Sequence, residues 1–270
     1  RAIRDFQAGL PVEQRSLRGT LILQGHTAAI RDLRFVARDG GTQLVSTGHD
    51  HTIRVWDPEV GSSIALFRGH GQWVRCCDVS PTEGWIVSAG FDGLVRRWEI
   101  GQAGEKRVLQ ATTLQGHDDA IVAARFQGEQ TVLTASRDRS IRKWSRDGRL
   151  VDTLREGHAF LIVGIRPFRD GTRFATSAVD GSVRIWNVVD RREVAVFEGL
   201  GRSGLSAIAP DDRTIAVADG SKLRLVPVDG NGDSSAASEI TAAGWGNLLV
   251  ASFSPDGARL ITGSADRTAR

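Results

Sequence analysis

One sequence pattern recurs along the chain at nearly constant spacing, and it constrains the fold more than any single residue does. Each copy opens with Gly-His, at positions 25–26, 69–70, 116–117 and 157–158. Each copy closes with a tryptophan and a polar residue, and successive tryptophans are 42, 46 and 42 residues apart. A repeat of this length is typical of a four-stranded propeller blade.

Each copy contains four short apolar runs separated by turns rich in glycine and aspartate. In the first copy these runs are 30–36, 43–47, 52–56 and 64–67. Asp-Gly pairs supply the positive φ that tight hairpins require, so each copy is predicted to form four antiparallel strands.

Two further copies are less regular. In the fifth, from about 200 to 242, Leu200 replaces the histidine and Leu225–Val226 replaces the tryptophan. The sixth begins near Gly244 and reaches Arg270 before its expected tryptophan. The sequence therefore predicts six repeats, of which four are complete, one is eroded and one is truncated.

A second regularity identifies the family. A hydroxyl residue is followed by an aspartate four residues later and a tryptophan six residues after that, without slippage. Together with the Gly-His pairs, this pattern resembles that of WD40-repeat β-propellers, in particular bacterial-type arrays, over residues 20–270. The resemblance implies an all-β propeller of four-stranded antiparallel blades. The ring has six blades if unit six is the last, and we expect the alternative of seven or more. Thr20–Gln24 is expected as a short β run that could complete the last blade. Residues 1–19 are expected to be a linker or the end of an upstream segment.

The resemblance also implies a hydrogen-bonded tetrad in each complete repeat, in which the aspartate holds the histidine and the hydroxyl joins it to the indole. The tetrads are His26, Ser46, Asp50 and Trp56; His70, Ser88, Asp92 and Trp98; His117, Thr134, Asp138 and Trp144; and His158, Thr176, Asp180 and Trp186.

The recurrence of Ser, His and Asp does not indicate a hydrolase. An active site is not expected once per repeat, and no G-x-S-x-G motif surrounds the hydroxyls. His49 and His51 flank a tetrad aspartate in a tight turn, which favours a polar turn over a metal site. The sequence thus predicts no enzymatic activity, metal or cofactor.

Composition limits the class of partner and the compartment. The net charge of +3 comes from 35 basic and 32 acidic residues, so charge gives no indication of nucleic-acid binding. No apolar run has the length of a membrane span. Cys76 and Cys77 are adjacent in a strand-like run and should point to opposite faces, which favours two packing residues in a reducing, cytoplasmic compartment.

Family analogy places partner binding on the face formed by the loops that join strands four to one and strands two to three. The candidate residues on this face are Arg31, His49, Trp73, Arg75, Phe91, Arg137 and Leu161. These aromatic and basic residues predict a protein or peptide partner with acidic and apolar side chains. Alternatively, Trp73 and Phe91 plug the channel mouth or pack on the next blade.

The resemblance therefore implies a non-catalytic protein-interaction scaffold. An alternative is a sensor or regulatory domain of a larger signalling protein fused to an NTPase, kinase or protease.

Overall fold

A computed structural model describes residues 22–38, 41–80, 84–99, 112–128, 130–155, 157–158, 160–200, 205–228, 235–241 and 246–270. Within these ranges the regular secondary structure is entirely β, and no helix of membrane-spanning length and hydropathy occurs there. The predicted linker at 1–19 lies outside the described residues.

The strands form one antiparallel sheet per repeat, in the order of the chain. Unit one contains β1 (Ile30–Arg38), β2 (Gly41–Gly48), β3 (Thr52–Asp57) and β4 (Ser62–Arg68). Unit two contains β5 (Val74–Val79), β6 (Trp85–Gly90), β7 (Val95–Glu99) and β8 (Thr112–Leu114). Unit three contains β9 (Ile121–Gln127), β10 (Thr131–Ser136), β11 (Ile141–Ser145) and β12 (Leu150–Leu154).

The remaining units follow the same order. Unit four contains β13 (Ile162–Pro167), β14 (Arg173–Ala178), β15 (Val183–Asn187) and β16 (Glu193–Phe197). Unit five contains β17 (Leu205–Ile208), β18 (Thr214–Asp219), β19 (Lys222–Pro227) and β20 (Ser238–Thr241). Unit six contains β21 (Leu248–Phe253) and β22 (Leu260–Ser264). The predicted all-β blades, four complete, one eroded and one truncated, are confirmed.

Apolar side chains between neighbouring sheets form the core. Alternate residues of a strand point to opposite faces, so each sheet contributes to two clusters. Cys77 packs with Ile53 of unit one, whereas Cys76 packs with Ile121 of unit three. Both cysteines are buried and neither forms a disulfide, as the sequence predicts for packing residues.

The eroded fifth unit replaces the polar tetrad with apolar packing. Leu200 is 1% exposed and lies in one cluster with Phe197, Ile215 and Val226. Leucine and valine at these positions need no hydrogen-bond partners when buried, so the unit keeps its sheet without the His–Trp signature.

The predicted β run at 20–24 is not observed in its described part. Residues 22–24 belong to no strand. A strand is held by ladder hydrogen bonds, and none of the described strands pairs with this segment.

Candidate protein-binding face

A β-bulge occurs at the same place in the first strand of every unit. The register skips one residue there, and the bulged residues are Arg31, Arg75, Val122, Val163, Ser206 and Leu249. A bulge re-aims the side chain of the extra residue. In units one and two it presents an arginine at the rim where the strand enters the sheet.

A backbone hydrogen bond at this rim joins the two loops of each complete unit. The residue before the tetrad aspartate donates its N–H to the carbonyl of the residue three positions after the histidine. The pairs are His49 to Ala29 (2.9 Å), Phe91 to Trp73 (3.0 Å), Arg137 to Ala120 (2.9 Å) and Val179 to Leu161 (3.0 Å). The predicted face positions therefore lie side by side around one rim.

Four of these side chains form a continuous row across units one, two and three. The imidazole of His49 stacks on the indole of Trp73, with centroids 4.2 Å apart. The Trp73 ring meets Phe91 edge-on at 5.4 Å, and the guanidinium carbon of Arg137 lies 4.9 Å from the Phe91 centroid. Trp73 is nevertheless 46% exposed, so the row packs between blades and also faces solvent.

The same rim carries three arginines without an ion-pair partner among the described residues. Among the ion pairs of the described residues, none involves Arg31, Arg75 or Arg137. Burial and the neighbouring Arg31 lower the pKa of Arg75. Burial, Arg31 and Arg75 lower the pKa of His49. We refer to Arg31, His49, Trp73, Arg75, Phe91 and Arg137 as the ladder face.

Leu161 lies on the same rim in unit four but makes none of the ring contacts of the ladder face. It is 43% exposed, and the preceding Phe160 is 59% exposed. Sequence reasoning missed Phe160. Its signal was an aromatic residue two positions after the Gly-His pair of unit four. The two side chains extend the rim with an apolar patch.

The tetrads lie beneath this rim and have nearly identical geometry in units one, two and three. In unit one, His26 Nδ1 is 2.8 Å from Asp50 Oδ2 and His26 Nε2 is 2.7 Å from Ser46 Oγ. Trp56 Nε1–H donates to the same hydroxyl at 2.8 Å. The equivalent bonds join His70, Ser88, Asp92 and Trp98, and His117, Thr134, Asp138 and Trp144.

Unit four departs from this pattern at its aspartate. His158 Nε2 and Trp186 Nε1 both lie 2.7 Å from Thr176 Oγ1, as in the other units. Among the described residues His158 Nδ1 makes no hydrogen bond to Asp180. It lies 3.3 Å from Ser182 Oγ, as His26 and His117 lie 3.4 and 3.2 Å from the equivalent hydroxyls, and Asp180 accepts hydrogen bonds from Ser182. Burial and the charge of Arg184 lower the pKa of His158 to about 4.

The tetrad hydroxyls are placed for structure and not for attack on a substrate. Ser46, Ser88, Thr134 and Thr176 are each at most 1% exposed. Each hydroxyl lies between a histidine and an indole N–H, which satisfies buried polar groups and fixes the strands. No substrate could reach these oxygens without opening the blade.

Comparison with known proteins identifies the repeats. The sequence model of the family described as "WD domain, G-beta repeat" matches residues 17–57, 61–99, 109–145, 148–187 and 244–270. These segments include all four tetrads and both strands of unit six, whereas the eroded unit five falls between two of them.

Three of the curated relatives illustrate the range of their names. The chain is 28% identical over 221 residues to the Nuclear distribution protein nudF of Emericella nidulans, covering 71% of this chain and 48% of the relative. It is 28% identical over 197 residues to a Ribosome biogenesis protein WDR12 homolog of Ixodes scapularis, covering 62% and 46%. It is 42% identical over 81 residues to the WD repeat and SOCS box-containing protein 1 of Xenopus tropicalis, covering 30% and 19%. The chain spans about half the length of the first two relatives, and the three names describe no common process.

Proposed function

The chain belongs to the WD40 repeat family, and we propose that it binds a partner protein or peptide on the ladder face. WD40 repeat proteins are generally non-catalytic scaffolds for protein interactions, and the relatives support this general role. The partner we propose is a segment that combines acidic with apolar side chains.

The aromatic row is the observation that carries the proposal. His49, Trp73 and Phe91 are held in fixed mutual orientation by their ring contacts. Trp73 nevertheless leaves almost half of its surface in solvent. A rigid, partly exposed tryptophan loses little conformational freedom on binding, and tryptophan and arginine are enriched at interaction hot spots. The row therefore suits an apolar side chain of a partner.

The unpaired arginines select the charge of that partner. Arg31 and Arg75 repel one another across units one and two, and Arg137 adds to the repulsion at Arg75. A carboxylate placed among them would relieve this repulsion and could accept two hydrogen bonds from one guanidinium. Beside the ladder face, Phe160 and Leu161 offer a second apolar contact.

Selection from a random peptide library tests the proposal. The immobilised chain is compared with Trp73→Ala and with Arg75→Glu, which reverses one charge. Val189→Ala and Arg149→Glu are matched controls, because both residues are highly exposed and lie in turns between third and fourth strands, on the opposite rim.

We expect the chain to enrich peptides that contain aspartate or glutamate beside an apolar residue. Both ladder-face variants should lose this enrichment by at least tenfold, and both controls should keep it. The proposal is wrong if the enriched peptides lack acidic residues, or if folded Trp73→Ala and Arg75→Glu select the same peptides as the unsubstituted chain.

A further inference from the structure

The first strands of units one, three, four, five and six line a cavity of about 780 Å³. Its wall includes residues of β1, β9, β13, β17 and β21. Five arginines and two aspartates contribute to this wall. The lining is therefore strongly basic, although the whole chain is almost neutral.

Three of these arginines occupy equivalent positions in their repeats. Arg34, Arg125 and Arg166 each stand eight residues after the Gly-His histidine, on the innermost strand. The equivalent position of unit two holds Asp78. Because the units pack around one centre, this register brings the four charged side chains to one level of the cavity.

The nearby carboxylates already have partners. Asp32 lies 2.8 Å from Arg34 Nη1 and 3.5 Å from Arg125 Nη1, and it accepts the backbone N–H of Cys77 at 3.2 Å. Asp78 lies 3.4 Å from Arg34 Nε and accepts the N–H of Phe126 at 2.8 Å. Both aspartates thus join neighbouring blades and balance Arg34 and, in part, Arg125.

Arg166 has no such balance. Its Nε donates to the carbonyl of Ser206 at 3.3 Å and its Nη1 to the carbonyl of Ile165 at 3.1 Å. No carboxylate of the described residues forms an ion pair with it. Burial, with the charges of Arg125 and Arg34, lowers the pKa of Arg166 to about 9. Its Nη2 makes no hydrogen bond to a described residue, although the side chain lines the cavity.

We propose that this cavity binds a phosphoryl oxyanion between the guanidinium groups of Arg166 and Arg125. The planar fork of arginine matches two oxygens of a phosphate, and such charge-assisted hydrogen bonds are strong where water is restricted. The anion would supply the negative charge that the described carboxylates do not. The cavity has room for inorganic phosphate or for a small molecule that carries several phosphates.

Calorimetric titration with sodium phosphate and with sodium tripolyphosphate tests the site, with sodium chloride at matched ionic strength as the reference. We expect saturable binding of at least one of the two phosphates. Arg166→Ala removes a charge-assisted contact and should weaken binding at least tenfold. Arg149→Ala, on the rim opposite the ladder face, should leave phosphate affinity unchanged. Tighter binding of tripolyphosphate indicates a polyphosphorylated ligand, and equal binding indicates free phosphate. Either result supports the site.

Stability provides a second readout. Without phosphate, Arg166→Ala should unfold at the same temperature as the unsubstituted chain or higher, because it removes an unbalanced charge. Phosphate should raise the unfolding temperature of the unsubstituted chain but not that of Arg166→Ala. Arg166→Lys keeps the charge without the fork and should bind with intermediate affinity.

The inference is wrong if phosphate and chloride have the same effect, or if Arg166→Ala binds phosphate as tightly as the unsubstituted chain. Trp73→Ala distinguishes the two proposals, because it should abolish peptide selection and leave phosphate binding intact. Arg31 is unsuitable for this purpose, since it belongs to the ladder face and also lines the cavity.

Discussion

The imidazole ring of His49 lies almost parallel to the indole ring of Trp73, at an interplanar angle of 12° and a centroid distance of 4.2 Å. His49 belongs to the second turn of unit one, and Trp73 precedes the first strand of unit two. One stacked pair therefore connects two blades at the surface where we place partner binding.

A double-mutant cycle measures how much the stacking of His49 on Trp73 stabilises the fold. We expect His49→Ala and Trp73→Ala to show a coupling free energy of about 0.5–1.5 kcal/mol in urea unfolding, the range for aromatic pairs. Ala29→Gly is a control for loosening of the same rim. If the free-energy losses of the two single substitutions add up to that of the double substitution, the stacking of the rings does not stabilise the fold.

The tetrad aspartates should differ in their effect on stability. Asp50 accepts hydrogen bonds from the His26 ring, the Thr27 N–H and Thr52, whereas Ser182 is the only described residue that donates hydrogen bonds to Asp180. We expect Asp50→Ala to lower the free energy of unfolding by about 1–2 kcal/mol more than Asp180→Ala does, because it also removes the 2.8 Å hydrogen bond to the buried His26 ring. Equal losses in urea unfolding would contradict the difference between the two units.

The repeat spacing predicts the blades and the residues of the tetrads, because hydrogen-bonded strands impose fixed separations along the chain. It does not reveal that His158, among the described residues, lacks the hydrogen bond to its aspartate, since Asp180 occupies the same sequence position as Asp50. That difference depends on side-chain positions, which spacing does not give. Similarly, the family resemblance places Trp73 and Phe91 on one rim but gives no ring orientation. The bulge at Arg31 and Arg75 has no sequence signature that we recognised.

His158 should make stability depend on pH in mildly acidic solution. Its pKa in the folded chain is about 4, below the usual value near 6.5 for an unfolded chain. The unfolded chain therefore binds this proton first, so stability is fully present above pH 6.5 and is lost as pH falls towards 4. We expect this group to account for a loss on the order of 2 kcal/mol across that window.

The substitution His158→Gln isolates this contribution. The variant is less stable at every pH, but its stability should fall less between pH 7 and pH 4.5 than that of the unsubstituted chain. Below pH 4 both should lose stability alike, because hydrogen bonds from Thr52, Thr27 and His26 hold the pKa of Asp50 at about 2. Parallel stability profiles above pH 4 would show that His158 does not titrate as described.

Gly157, which precedes the tetrad histidine of unit four, should not tolerate a side chain. Its φ is +120°, and a Cβ there would overlap the six-membered ring of Trp186. That ring cannot move aside easily, because Trp186 is 4% exposed and its Nε1–H is bound to Thr176 at 2.7 Å. Gly171 is a matched control with a φ of +69° and no atom within 4 Å of the added Cβ.

We expect Gly171→Ala to cost about 1 kcal/mol from backbone strain alone, and Gly157→Ala to cost about 3 kcal/mol or more, since overpacking adds to the strain. Chemical unfolding followed by tryptophan fluorescence measures both. Equal costs would mean that the indole of unit four moves freely, which its bond to Thr176 should prevent.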